Sequence, residues 1–195
     1  MKNIHLTMII VSFLTFFPVN STYASNFDYG YIAGGYVEDG YTVEGSFGGS
    51  GTENGFYARA LGLFLDAQES GRGNVRATAD ILFVNGGYHW SISENADILL
   101  EAGYIGAEAT ACLNLGYGRC ISEDESGYNI LAGFRSGNPD GVEFKLLIGR
   151  GDLLEADTIG QLEISYNFSE TFSIYAGSFY DGEYGNTMAG FKYTF

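Results

Sequence analysis

An all-β chain closed into an antiparallel transmembrane β-barrel is the fold this sequence predicts, and three observations predict it. The last ten residues alternate in character: Thr187, Ala189, Phe191, Tyr193 and Phe195 fall on one face, and Met188, Gly190, Lys192 and Thr194 on the other. Successive strand side chains point to opposite faces, so such a segment has one greasy side and one mixed side. Segments of this kind recur along the chain between turn residues, and nothing after the N-terminal region approaches the roughly 20 apolar residues that a spanning helix needs. The composition agrees, with 29 Gly, 15 Tyr and 15 Phe against 2 Pro and 1 Trp. Aromatic residues favour strands, and Pro would interrupt their ladders.

The N-terminal segment is set apart. Lys2 precedes an apolar run from Met8 to Val19, and Thr22-Tyr23-Ala24 offers small residues at the cleavage positions. This pattern predicts a secretory signal peptide over 1–24, leaving a single barrel domain over 25–195. Position 25 is Ser, so the cysteine of a lipid-anchored protein is missing there. Removing the leader takes one of the 9 basic residues, Lys2, and none of the 24 acidic ones, so the net charge moves from −15 to −16. That balance argues against a nucleic-acid partner, since phosphate binding needs a basic footprint.

Ten strands are predicted near 27–38, 41–50, 55–66, 79–92, 96–108, 127–136, 141–150, 158–168, 171–180 and 186–195; eight strands with longer loops are the alternative. Short polar turns at 51–54, 93–96, 136–140 and 168–171 alternate with outer connections, of which 67–78 and 109–126 are the longest. An even strand number leaves both termini on the side of the short turns.

Each strand is justified by its faces. The first carries the Gly-aromatic phrase Tyr29-Gly-Tyr-Ile-Ala-Gly-Gly-Tyr-Val37. In the second and third, Glu44 and Arg59 share the inward parity. The fourth sets Leu82, Val84, Tyr88, Trp90 and Ile92 against Phe83, Asn85, His89 and Ser91. In the fifth, Ile98, Leu100, Ala102 and Tyr104 oppose Leu99, Glu101 and Gly103. The sixth sets Tyr128, Ile130, Ala132 and Phe134 against Asn129, Leu131 and Arg135. The seventh opposes Val142, Phe144, Leu146 and Ile148 to Glu143, Lys145 and Leu147, and the eighth opposes Leu162, Ile164, Tyr166 and Phe168 to Gln161, Glu163, Ser165 and Asn167. A wrong register would scatter charge onto both faces.

Instead, Glu44, Arg59, Glu101, Arg135, Glu143, Lys145, Glu163 and Lys192 gather on the lumen side, four acids with four bases. A charge facing lipid at mid-depth would cost about 2–4 kcal/mol, whereas opposite charges inside a narrow barrel can pair. Two readings follow: a structural ion-pair core, or a narrow conducting path. His89 is the one histidine after the leader and reads as a hydrogen-bonded interior residue rather than a catalyst. Cys112 and Cys120 both fall in the 109–126 connection, and an exported pair this close in sequence predicts a disulfide that closes a small loop. Acidic groups gather in the outer connections at Asp66, Glu69, Glu123-Asp124-Glu125, Asp152, Glu155, Asp157, Asp181 and Glu183. They form a solvated surface that could also hold divalent cations bridging lipopolysaccharide phosphates, though none has calcium-loop spacing.

The signal peptide, the Tyr29–Val37 phrase, Gly86-Gly-Tyr88, Asp97-Ile-Leu-Leu-Glu-Ala-Gly-Tyr104 and the Phe-terminated last strand, in that order, resemble small porin-like outer-membrane barrels of Gram-negative bacteria, a ten-strand group of largely unassigned function. The resemblance covers the whole of 25–195 and implies residence in the outer membrane, contact with its lipid and lipopolysaccharide, and Phe191, Tyr193 and Phe195 as the terminus that the barrel-assembly machinery receives. It implies a non-enzymatic protein without a cofactor, with an envelope role or a narrow channel. The alternatives are a surface adhesion or interaction protein acting through its outer loops and an outer-membrane hydrolase. Surface proteases and lipid A deacylases of this architecture place histidine at the outer rim or on a late strand, whereas His89 lies nearer the periplasmic end.

Overall fold

The computed structural model describes residues 27–48, 54–69, 75–113, 119–138, 140–152, 158–180, 182 and 185–195; the leader expected over 1–24 lies outside them. The ten strands are β1 (Tyr31–Val37), β2 (Gly40–Gly48), β3 (Asn54–Glu69), β4 (Val75–Ser93), β5 (Ala96–Leu113), β6 (Arg119–Gly137), β7 (Val142–Gly151), β8 (Ile159–Asn167), β9 (Phe172–Tyr180) and β10 (Gly185–Thr194). Each pairs antiparallel with its sequence neighbours, and β1 closes the ring on β10, with Tyr31 opposite Thr194 and Val37 opposite Met188. Ten strands, not eight, make the closed sheet. Closure gives the backbone of every strand a partner on both sides within the ring.

Hairpin chemistry fixes the register. Glu38 and Asp39 turn β1 into β2, with Asp39 in the left-handed region at φ 60, a conformation Asp tolerates better than most residues. Glu94 and Asn95 turn β4 into β5, with the register slipping between Ser91 and Ser93.

The two faces separate as the alternation requires. Outward residues include Ile32, Val43, Val84, Ile130, Ile148, Ile164, Ile174 and Phe191, all well exposed. Tyr36, Tyr41, Tyr104, Tyr128 and Tyr180 rim this band on one side, and Phe47, Phe56, Phe168, Phe172, Tyr193 and Phe195 on the other. Among the described residues between those rims, none that faces outward carries a charge at neutral pH; the exposed Arg150, two residues past Ile148 on β7 and opposite Ile130, stands at the margin of the band. On β4 the band runs from Leu82 to Ile92; ten steps of roughly 3.3 Å at a tilt of roughly 40° make it roughly 25 Å tall.

Two expectations are corrected. The predicted first strand, 27–38, begins only at Tyr31. Asp28 accepts a hydrogen bond from the Gly30 amide at 2.9 Å, and Phe27 and Tyr29 turn into the barrel, where they are 1% and 3% exposed. The predicted outer connections 67–78 and 109–126 are largely strand: β3 runs on to Glu69, β4 starts at Val75, β5 reaches Leu113 and β6 starts at Arg119. β2 pairs with β3 no further than Leu65, and β7 pairs with β6 no further than Asn129. The far ends of β3–β6 therefore project beyond the ring as a four-stranded ledge.

Adjacent glycines on β4 illustrate how tightly the interior is filled. A Cβ at Gly87 would lie 2.3 Å from the Tyr57 ring, while one at outward-facing Gly86 would meet nothing within 4 Å. Gly87→Ala should therefore destabilise the barrel by about 1–3 kcal/mol through overpacking, and Gly86→Ala should be close to neutral. Urea unfolding followed by heat-modifiable gel migration checks both; equal effects at the two positions would contradict the packing.

Candidate functional site

The eight charges expected in the lumen point into the barrel in two groups. Arg59, on β3, is the hub of the larger group: its Nε and Nη2 donate to Glu101 Oε2 at 3.1 and 2.7 Å, and its Nη1 donates to Glu44 Oε1 at 3.3 Å and to Gln161 Oε1 at 2.6 Å. Asn85 and Tyr57 complete the shell of Glu101 at 2.9 Å each. Lys145 lies 3.4 Å from Glu44 and 3.1 Å from Glu163, and Lys192 donates to Glu163 at 2.5 Å. Tyr31 donates to Glu44. Three acids thus face three bases in one connected network. The remaining pair stands apart: Arg135 donates to Glu143 at 2.9 and 2.7 Å and to the Asp28 carbonyl at 2.8 Å, while Asn167 donates to Glu143 at 2.6 Å.

Three further groups in the lumen were not singled out from the sequence. Asp97 is fully buried and accepts from Tyr29 at 2.5 Å. It shares the parity of Leu99 and Glu101, so the signal was present at the very start of β5. Tyr31, Tyr57 and Tyr175 contribute hydroxyls to the same interior. The N-terminal segment supplies the third: the Phe27 ring lies 4.5 Å beneath the Arg135 guanidinium, and Tyr29 stacks on His89 at 4.1 Å. Alternation of Phe27, Tyr29 and Tyr31 reads as strand whether the chain stays in the sheet or turns into the lumen.

His89 departs from the expectation of a hydrogen-bonded interior residue. Among the described residues neither ring nitrogen has a hydrogen-bond partner, and Nδ1 stands 3.5 Å from Asp97. Aromatic stacking between Tyr29 and the barrel wall holds the ring, which is 1% exposed.

Among the described residues the lumen is filled. Toward the ledge it is blocked by an apolar layer of Leu63, Ile81, Phe83, Ile105, Ile159 and Phe179, with Phe83 and Phe179 edge to face at 5.1 Å. Within the charged layer a void of about 20 Å³ touches Tyr31, Arg59, Glu101 and Lys145, room for about one water. At the short-turn end a recess of about 460 Å³, lined by Asn95, Asn138, Ser169 and Glu170, stops at Arg135 and Lys192.

On the ledge, polarity inverts on β3, β4 and β5, while β6 carries polar residues on both faces. The face that continues the lumen carries Ala67, Ala77, Ala111 and Ile121 in register, followed by Leu65, Ala79, Ala109 and Glu123. The opposite face carries Asp80, Glu108 and Asp124 directly across from one another. Cys112 and Cys120 are cross-strand neighbours here, joined by a disulfide with Cα atoms 4.1 Å apart. They staple strands rather than a loop. Asp66 and Arg76 pair across β3 and β4 at 2.6 Å, and that guanidinium holds the Asp66 carboxyl below its ordinary pKa. The pair's contribution is therefore present at neutral pH and lost as pH falls through the lowered value; both groups are exposed, so the effect is small. Of the acidic outer groups, Glu155, Asp157, Asp181 and Glu183 lie outside the described residues. Among the described ones no group of three or more metal-ligating side chains is placed to hold a cation.

No protein-family model, curated protein or solved structure matches this chain. The geometry therefore carries the functional reading.

Removing one member of the buried network leaves its partners charged and unpaired. Glu101→Gln, which strips Arg59 of its bidentate acceptor, should cost about 3–5 kcal/mol, while the paired change Arg59→Met with Glu101→Leu should cost clearly less. Denaturant midpoints of the three proteins check this, and a double variant worse than the single would contradict the account.

Proposed function

We propose that this chain is an integral outer-membrane β-barrel that is neither an enzyme nor an open pore, and that it serves as a closed envelope anchor displaying the ledge at the cell surface. The observation that carries the reading is the uncharged outward band, roughly 25 Å tall and rimmed by aromatic residues, which matches the apolar belt of outer-membrane barrels. Among the described residues the charges inside the ring point inward and find partners, and Arg150 stands at the margin of the band. In this placement the short turns and both termini face the periplasm, the ledge stands outside, and the N-terminal leader directs export. Phe191, Tyr193 and Phe195 lie exposed on the outer face of the last strand, which suits recognition by the assembly machinery. Lipid and lipopolysaccharide are the partners of the band.

Closure of the lumen favours an anchor over a narrow channel, because a solute would have to displace both the charged network and the apolar layer above it. Against hydrolysis, the one histidine of the barrel is buried, 1% exposed, under the stacked ring of Tyr29. The projecting ledge favours the surface-interaction reading over a purely architectural one, since envelope packing alone gives no reason for strands that continue past the ring.

Refolded protein in planar bilayers should insert and remain electrically silent; discrete conductance steps would overturn the closed-lumen reading. Ile164 faces outward near the middle of β8 and is half exposed. Ile164→Arg should lower stability in lipid vesicles by about 2–4 kcal/mol, measured by urea titration. A cost near zero would contradict burial of that face in hydrocarbon.

A further inference from the structure

We propose that the edge of β6 presented by Ser122, Asp124 and Ser126 is a docking site for an extended cationic polypeptide segment, which adds to the ledge as a further antiparallel strand. This rests on the proposed function in placing the ledge outside the hydrocarbon, and it adds the chemistry of the partner. Pairing between β6 and β7 ends at Asn129, and the Asp152 amide makes the last contact by donating to the Tyr128 carbonyl at 2.9 Å. That bond fixes which way the edge points. In an antiparallel ladder a residue's N–H and C=O face the same neighbour and alternate along the strand. Tyr128 faces the β7 side, so Ser126, Asp124 and Ser122 face it too. Among the described residues no strand pairs with them.

An uncovered strand edge is a pairing template, and proteins ordinarily blunt such edges with charged side chains, Pro or a bulge. Residues 119–127 contain no Pro and no bulge, and their charges apart from Arg119 are acids, which deter a second copy of this edge but not a cationic strand. Their register against β5 runs unbroken from Ala96–Ser136 to Leu113–Arg119. The Cys112–Cys120 disulfide and a 2.5 Å hydrogen bond between Thr110 and Ser122 hold the outermost part of the strand against β5. The opposite edge of the ledge is treated differently: it is only four residues long on β3, and its first amide, Asp66, donates to the Asp39 carbonyl at 2.7 Å.

Charge selects the occupant. Glu123, Asp124 and Glu125 are consecutive on the edge strand, so acids stand on both of its faces, and Asp80 and Glu108 extend the acidic row on the outward side. A second copy of β6 pairing edge to edge would set these acids against themselves, which is destabilising, and anionic lipopolysaccharide would be repelled. A strand bearing Lys or Arg opposite Glu123 and Asp124 would gain both the backbone ladder and cross-strand charge pairs.

The test uses the refolded barrel in neutral detergent micelles with a fluorescein-labelled synthetic peptide of alternating Lys and Val, and a Glu-Val peptide as comparison. Saturable binding of the Lys-Val peptide and none of the Glu-Val peptide is expected. Ser122→Pro with Ser126→Pro removes two outward amide donors while keeping every acid and the β5 ladder, since Pro is tolerated where its nitrogen faces away from the sheet. This variant should remain a heat-modifiable barrel and bind the peptide roughly tenfold more weakly. Absence of saturable binding, or binding unchanged by the two prolines, which would signify adhesion by charge alone, would overturn the proposal. Formation of a dimer through β6 would overturn it as well, by naming a second copy as the occupant. Because the assay runs in micelles, failure of the barrel to enter lipid vesicles would sink the membrane reading separately and leave this binding result standing.

Discussion

The two-residue period of a strand, imposed on a sheet with no free ends, governs this molecule. Closure means that a residue has only two places to go, into the lumen or out of the ring, and a shift of one residue would exchange them all. With Arg59, Lys145, Lys192 and Arg135 on four different strands, the register of each is coupled to the others through Glu44, Glu101, Glu163 and Glu143. A slipped strand would turn its charge outward and leave a partner inside unpaired. The network is therefore better understood as a device that specifies one register than as a large net source of stability, given the desolvation that burying such charges costs.

The same alternation explains how one sheet serves two environments. Inside the ring the polar set faces in and the apolar set faces out. Beyond the outer tyrosines the assignment flips within β4 and β5: Ala77, Ala79, Ala109 and Ala111 continue the inward parity, and Asp80 and Glu108 the outward one. Nothing in the backbone changes at that boundary. On the proposed membrane placement, what changes is the medium that the outward face meets, and the flip falls at the same level as the aromatic rim.

Much of this was legible in the sequence because the contrast between faces is strong where lipid is expected. Strands such as β8, with Leu162, Ile164 and Tyr166 against Gln161, Glu163 and Ser165, leave no doubt about parity. The ledge was not legible for the opposite reason. The stretch from Glu108 to Ala111 alternates only between small and polar residues, and 119–126 is polar at nearly every position, so the pattern that signals a half-buried strand is missing although the ladder continues. Asp97 escaped notice at the edge of its strand, and Phe27 and Tyr29 passed as strand residues because turning into the lumen preserves the period. The stacked, unbonded state of His89 depends on that same inward turn and could not be read from its neighbours on β4.

Trp90 offers the most direct test of where the outward face lies, because it is the sole tryptophan of the chain and sits on that face, against Tyr88. Its fluorescence should be strongly quenched when the protein is refolded into vesicles of lipids brominated along their acyl chains, and little affected by acrylamide in the surrounding water. Emission that ignores the brominated lipid and yields to acrylamide would place the greasy face in water or against another protein, and would contradict the account.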